Sequence, residues 1–152
     1  LTWRGKIGIK GEEKRMEETL AIVKPDAVAA GFVGKILSRI EEEGFRVRGL
    51  KMVHLREGEA RLFYGVHRGK PFYESLVAFM TSGPVVAIAL EREDGVAHWR
   101  RVMGVTDPAS AAEGTLRSLY GTTVQRNAVH GSDSVENGVG EINFFFNTLE
   151  KT

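Results

Sequence analysis

The stretch NAVHGSDS, residues 127–134, holds one histidine with no cysteine and no second histidine near it. A lone imidazole becomes a nucleophile or a base when a carboxylate bonds one ring nitrogen, because that fixes the tautomer and leaves the other nitrogen free. A carboxylate is within reach of the pattern. From residue 134 the sequence reads as a helix, and at about 100° per residue Ser134, Gly138 and Glu141 fall along one flank. Glu141 would then point back at the strand end that carries His130. Gly131 omits a side chain beside the histidine, where a large reactant would need to approach. By type and spacing His130 fits a structural histidine as well as a catalytic one.

The cations add to this. Lys24 ends an apolar segment and precedes Pro25-Asp26, which places an ammonium at the rim of a sheet. Arg100 and Arg117 bracket a stretch rich in glycine and threonine; with Thr106 and spare backbone N–H groups they suit the gripping of phosphate oxygens. A solvated surface is the competing reading for each. The phosphate loop GxxxxGK[ST] is missing, and so is the protein-kinase signature set, so a nucleotide must be held in another way. The spacing of Tyr64 and Phe72 favours core packing. His54, His67, His98 and His130 are scattered without an H-x-x-x-H pair, which argues against a metal-dependent hydrolase.

Behind these residues stands a patterned chain. TLAIVK (19–24) reads as a compact apolar strand stopped by Pro25. Phe32, Val33, Ile36, Leu37 and Ile40 share one helical face, and Gly44 ends that helix. FRVRGLKMVHL (45–55) begins as a half-buried strand. GEARLFYGVH forms a short helix, PFYESLVAFM a second one opened by Pro71, and VVAIALE a buried strand. MGVTDPASAAEGTLRSLYGTT is a long excursion with short helical pieces, and NAVHG a last short strand. The final helix starts at SDSVE, where Asp133 and Glu136 stand at capping-box spacing, with Val135, Val139, Ile142 and Phe146 as its apolar face. Gly138 and Gly140 within it each cost about 1 kcal/mol of helix propensity relative to alanine, which predicts a weakened helix around Glu141. The order strand–helix–strand, then helix–strand–strand, predicts an α+β ferredoxin-like sandwich: a four-stranded antiparallel sheet with helices packed on one face.

With 152 residues, 42% hydrophobic and 27% charged, the chain has the size and composition of one globular domain. Its longest purely apolar run, VVAIAL (85–90), is far too short to cross a bilayer, so no membrane partner is expected. Without cysteine there is no disulfide, no thiol nucleophile and no cysteine zinc site, and a cytoplasmic location fits. Residues 1–15 are net +3 and the rest net −2. A basic balance carried by a tail does not make a nucleic-acid surface, and no specific nucleic acid is expected. That tail lacks a sustained period, which predicts a non-native or flexible extension over 1–15, with Met16 as the native start, ahead of a domain over 16–152.

Four stretches in order, ETLAIVKPDAV, FYGVHRGKPFYESLVAFMTSGPVVAIALE, WRRVMGVTDPASAAEGTLRSLYG and NAVHGSDSVENGVGEINFFF, closely resemble the nucleoside diphosphate kinase family. The resemblance covers Glu18 to Phe146, and the MGVTDP and FFF forms are bacterial in style. It implies ping-pong transfer of a γ-phosphate from ATP or another nucleoside triphosphate to a nucleoside diphosphate, with broad base specificity. His130 would be the nucleophile through Nδ1, Glu141 would hold Nε2, and Ser132 would support that contact. Lys24 would meet the transferring phosphate and the ribose 3′-hydroxyl, with Tyr64 close to the phosphohistidine. Arg100, Thr106 and Arg117 would clamp the outer phosphates, Asn127 would bond the ribose, and the base would lie between Phe72 and Val124. The implied cofactor is Mg²⁺ carried on the nucleotide phosphates, with no metal site on the protein, and the implied assembly is a homo-oligomer, tetramer or hexamer. The apolar, aromatic tail INFFF itself predicts burial between subunits, since Phe144 lies opposite the core stripe of the last helix.

Ala30, where many members are polar, and Lys70, where arginine is frequent, depart from the family pattern at positions that contact no phosphate. Two other uses of the same residues stay open: a phosphohistidine-dependent protein phosphotransferase, and a ferredoxin-like module that binds nucleotide or nucleic acid without catalysis.

Overall fold

The run LAIV explains the first strand and its place in the molecule. In the computed structural model, which describes residues 15–152, β1 (Met16–Val23) buries Leu20 and Ile22 on one face and Ala21 and Val23 on the other. A strand buried on both faces reads as a continuous apolar run instead of an alternating one. Pro25 opens a one-turn helix, α1 (Pro25–Ala29), and α2 (Val33–Glu42) follows, burying Ile36 and Ile40. Gly44, at φ +83°, ends it in the left-handed region open to glycine. Next come β2 (Arg46–Val53), bulged between Val47 and Gly49, and α3 (Glu57–Phe63), continued by a 3₁₀ turn at Gly65–His67. Then α4 (Tyr73–Met80), β3 (Val85–Glu93) and α5 (Gly95–Met103) complete the first two-thirds. A 3₁₀ turn at Pro108–Ser110 and α6 (Leu116–Tyr120) occupy the excursion, followed by β4 (Val129–Gly131) and α7 (Val135–Phe145).

The strands lie in the order β2-β3-β1-β4, and all three pairings are antiparallel. With α2 and α5 as crossovers this is the β-α-β-β-α-β arrangement of a ferredoxin-like α+β fold. The helices, however, cover both faces of the sheet. Residues of α3, α4 and α7 close over Leu20, Ile22 and Ala87, whereas α2 and α5 close over Ala21, Val23, Ile88 and Leu90. The expectation of helices on one face is therefore corrected. A one-sided sheet would have shown alternation in LAIV and VVAIAL, which are apolar throughout.

The second correction is α5, which is absent from the sequence reading. Val96, Trp99, Val102 and Met103, all buried, have helical spacing in GVAHWRRVM, and Trp99 is fully enclosed.

The last helix also differs in detail. Its N-cap is Ser134, whose hydroxyl accepts from the Asn137 N–H, so the cap stands one residue after Asp133. Its buried face is Gly138, Ile142 and Phe145, with Phe146 buried just beyond it; Val135 and Val139 are exposed. Gly138 is forced by contact: a Cβ there would lie 2.6 Å from the Glu18 carbonyl oxygen of β1. Gly140 meets nothing within 4 Å. One of the two glycines thus buys close helix–sheet approach, and the other only lowers helix propensity. Of the expected extension over 1–15, residues 1–14 lie outside the described residues.

Candidate active site

His130 sits in the short edge strand β4, opposite Ile22 of β1. Its backbone carbonyl accepts a hydrogen bond from Trp99 Nε1 (3.1 Å), and the edge of its ring approaches Phe63 at a centroid distance of 5.6 Å. Nε2 lies 2.9 Å from Glu141 Oε1 on α7. Ser132 Oγ donates to the same carboxylate oxygen (2.8 Å) while accepting from the Leu20 N–H (3.0 Å). A carboxylate oxygen accepts, so His130 Nε2 is the donor to it, and in the neutral imidazole Nδ1 is then the nitrogen without a hydrogen. The chain from Leu20 through Ser132 and Glu141 to His130 ties the imidazole to the centre of the sheet.

The imidazole faces a cavity of about 560 Å³ walled by Phe63, Tyr64, His67, Glu141 and Phe144. Tyr64 is buried, and burial, with the Glu141 charge, pushes its phenol well above the usual range, so it stays protonated as a donor. Gly131 does not open a path for a reactant, as its position had suggested. Alternation along β4 turns it to the opposite face, where a Cβ would lie 2.5 Å from Trp99 Cδ1 and 2.6 Å from Met103 Cε. It lets α5 pack directly on the strand.

The cations meet beside this strand. Lys24 follows β1 immediately and is buried; its Nζ donates to Asn127 Oδ1 (2.8 Å) and to the Gln125 carbonyl (3.2 Å). Burial and the nearby Arg117 guanidinium lower its pKa to about 8, with Asp26 pulling the other way. Asn127, also buried, donates through Nδ2 to the Thr106 carbonyl (3.0 Å). Arg117 donates to the carbonyls of Gly104 (2.9 Å) and Val129 (2.8 Å), and the second bond sets its guanidinium against β4 one residue from His130. Its Nε is buried without a partner. Burial and the Arg100 charge lower its pKa to about 10. Arg100 and Thr106 are exposed, and with Arg117 they line a second cavity of about 620 Å³.

Phe72 is not core. It caps α4 half-exposed and meets His67 edge-on, with ring centroids 5.2 Å apart. Val124 is exposed on the loop before Asn127, and Gln125 Nε2 bonds Ser75 Oγ (3.0 Å), tying that loop to the first turn of α4. Among residues to which the sequence assigned no role, Trp99 and Asp26 contact the segment from Asn127 to His130, and the Gln125 carbonyl accepts from Lys24 Nζ. Only Asp26 carried a signal, by its place next to Lys24-Pro25.

A family model described as nucleoside diphosphate kinase matches residues 17–151. The chain belongs to the nucleoside diphosphate kinase family. A nucleoside diphosphate kinase of Syntrophotalea carbinolica is 55% identical over 135 residues, covering 89% of this chain and 98% of that protein. The crystal structure of the Aquifex aeolicus nucleoside diphosphate kinase superposes with a TM-score of 0.89 at 46% identity, covering 90% of this chain and 99% of that one. A nucleoside diphosphate kinase from Halobacterium salinarum, solved in complex with CDP, gives a TM-score of 0.86 at 40% identity, covering 90% of this chain and 91% of that one. The kinase moves the γ-phosphate of a nucleoside triphosphate onto a nucleoside diphosphate. Among its described residues no three His, Asp or Glu side chains stand together as a metal cluster, and no helix is long and apolar enough to cross a membrane.

Proposed function

We propose that His130 is the phosphate carrier of this kinase: Nδ1 attacks the γ-phosphorus of a bound nucleoside triphosphate, the bond to the β,γ-bridging oxygen breaks, and the diphosphate leaves. A nucleoside diphosphate then takes the phosphoryl group back from Nδ1. The observation that carries this reading is the shared carboxylate oxygen of Glu141, which fixes Nε2–H and leaves Nδ1 as the free nucleophile. Phosphoryl transfer spreads charge over three equatorial oxygens, so fixed cations and positioning supply most of the catalysis. Lys24 would meet that charge and the ribose 3′-hydroxyl, and Tyr64 would donate toward the phosphohistidine. Arg100, Thr106 and Arg117 would clamp the outer phosphates, and Asn127 would bond the ribose. The base would stack between Phe72 and Val124; a π-face is common to all bases, which supports broad specificity. Mg²⁺ would arrive on the nucleotide phosphates as part of the substrate. The cavity lined by Arg100, Arg101 and Arg117 suits a phosphate chain and not a resident cation.

Residues 16–152 would form the kinase domain and 1–15 an extension, in a cytoplasmic homo-oligomer. The exposed Leu50 and Met52 on the outer strand β2, together with Phe144, support assembly. Light scattering should give the mass of a tetramer or hexamer; a monomer at working concentration would contradict it. Steady-state kinetics with ATP and GDP test the reaction itself. Parallel double-reciprocal lines are expected for a phosphoenzyme route, and intersecting lines would contradict it.

A further inference from the structure

Between Asn127 and His130 the backbone is strained. Ala128 has φ +76°, one of two non-glycine residues among those described with a positive φ, and it is fully buried. The Val129 N–H donates to the Asn127 carbonyl (2.9 Å), which closes a γ-turn centred on Ala128, of the rare kind with positive φ. Such a conformation persists only when its surroundings over-determine it. Two groups do so here, both from the segment Lys24–Asp26. The Lys24 N–H donates to the Ala128 carbonyl (2.9 Å), and Asp26 Oδ2 accepts from the Ala128 N–H (3.1 Å). Ala128 is fully buried, and the Asp26 carboxylate is the acceptor its N–H has among the described residues. The other carboxylate oxygen, Oδ1, is buried without a partner.

The turn decides where the reacting groups stand. It sets the direction of the Asn127 side chain, which bridges Lys24 Nζ and the Thr106 carbonyl. It also launches β4, which delivers the Val129 carbonyl to Arg117 and His130 to Glu141. We propose that Asp26 is a positioning residue for phosphoryl transfer, its carboxylate clamping the strained turn at Ala128 and thereby setting Asn127, Lys24 and His130 relative to one another. This rests on the phosphotransfer reading above. Asp26 acts through the turn, and its charge also favours the protonated form of Lys24.

The test is a cycle of wild type, Asp26→Ala, Ala128→Gly and the double variant, with kcat and KM measured for ATP-to-GDP transfer and folding checked by circular dichroism. Asp26→Ala is expected to lower kcat on the order of 10–100-fold, the scale of a misplacement near 1 Å. Glycine adopts positive φ freely, so the double variant should recover at least about 3-fold of that loss. Asp26→Asn, which keeps an acceptor oxygen, should lose less than Asp26→Ala. If Asp26→Ala is unfolded, Asp26→Ser, too short to reach the Ala128 N–H, takes its place with the same expectations. A wild-type kcat in Asp26→Ala, or an equal loss in both backgrounds, would overturn the clamp. Wild type run in the same assay separates the two claims. An inactive wild type sinks the phosphotransfer reading and the clamp with it; an active wild type matched by Asp26→Ala sinks the clamp alone.

Discussion

At His130, Nε2 is held by Glu141 Oε1, which Ser132 Oγ also bonds, and under the proposed mechanism the Nε2–H tautomer leaves Nδ1 as the nucleophile. Lys24 is a buried cation, and under the proposed mechanism its pKa of about 8 limits the working range. In the free kinase the ammonium that would meet phosphate is lost as pH rises through about 8. The profile of kcat/KM, which reports the free enzyme, should therefore fall along an alkaline limb near that value. A flat profile to pH 10 would contradict the assignment of Lys24. The same shift has an opposite sign for stability. The unfolded chain keeps the Lys24 proton up to about 10.5 and the folded chain only to about 8, so between these values the unfolded state binds more protons. Lys24 burial thus weakens the fold fully below pH 8, and the penalty is relieved as pH climbs from 8 to 10.5. Of the candidate site residues, His130, Glu141, Thr106 and the cations were legible from type and spacing. The roles proposed for Ser132, Tyr64, Phe72, Val124 and Asn127 came from the resemblance, because a group that would meet a ribose or a base leaves no local pattern in a single sequence.

Glycines on the elements behind the site have different jobs. Gly138 lets α7 lie against the Glu18 carbonyl, whereas Gly140 faces open space. Gly138→Ala should destabilise the fold by about 1–3 kcal/mol through overpacking. Gly140→Ala should stabilise it by roughly 0.5–1 kcal/mol through helix propensity. Urea unfolding of the two variants measures both, and equal effects of one sign would show that propensity alone governs α7. The strands and most helices were legible because LAIV, VVAIAL and the α2 stripe are periodic. Helix α5 was missed although Val96, Trp99, Val102 and Met103 carry the period, since three charged or polar residues, His98, Arg100 and Arg101, interrupt it. The face of α7 was misread because its buried line runs through a glycine, which no hydrophobic pattern records.

Across the whole molecule, the sheet brings residues distant in sequence to one edge. β1 leads directly into Lys24, β4 carries His130, and the excursion between α5 and β4 folds back so that Asn127 bonds the Thr106 carbonyl and Arg117 the Val129 carbonyl. Helices on both faces reach that edge: α7 holds the imidazole from one side, and Trp99 of α5 holds the His130 backbone from the other. The antiparallel ferredoxin-like sheet was legible from element order, but the two-sided cover was not, because apolar runs were read for their length and not for their lack of alternation. The central claim is that His130 carries the phosphate, and trapping the phosphoenzyme tests it most directly. Purified protein is mixed with γ-labelled ATP without acceptor, and the quenched sample is split between acid and alkali. A label that survives alkali, is lost in acid, leaves on addition of GDP and is absent from His130→Gln is the result expected. A chain that binds ATP yet takes no label, or whose label persists in His130→Gln, would contradict the account.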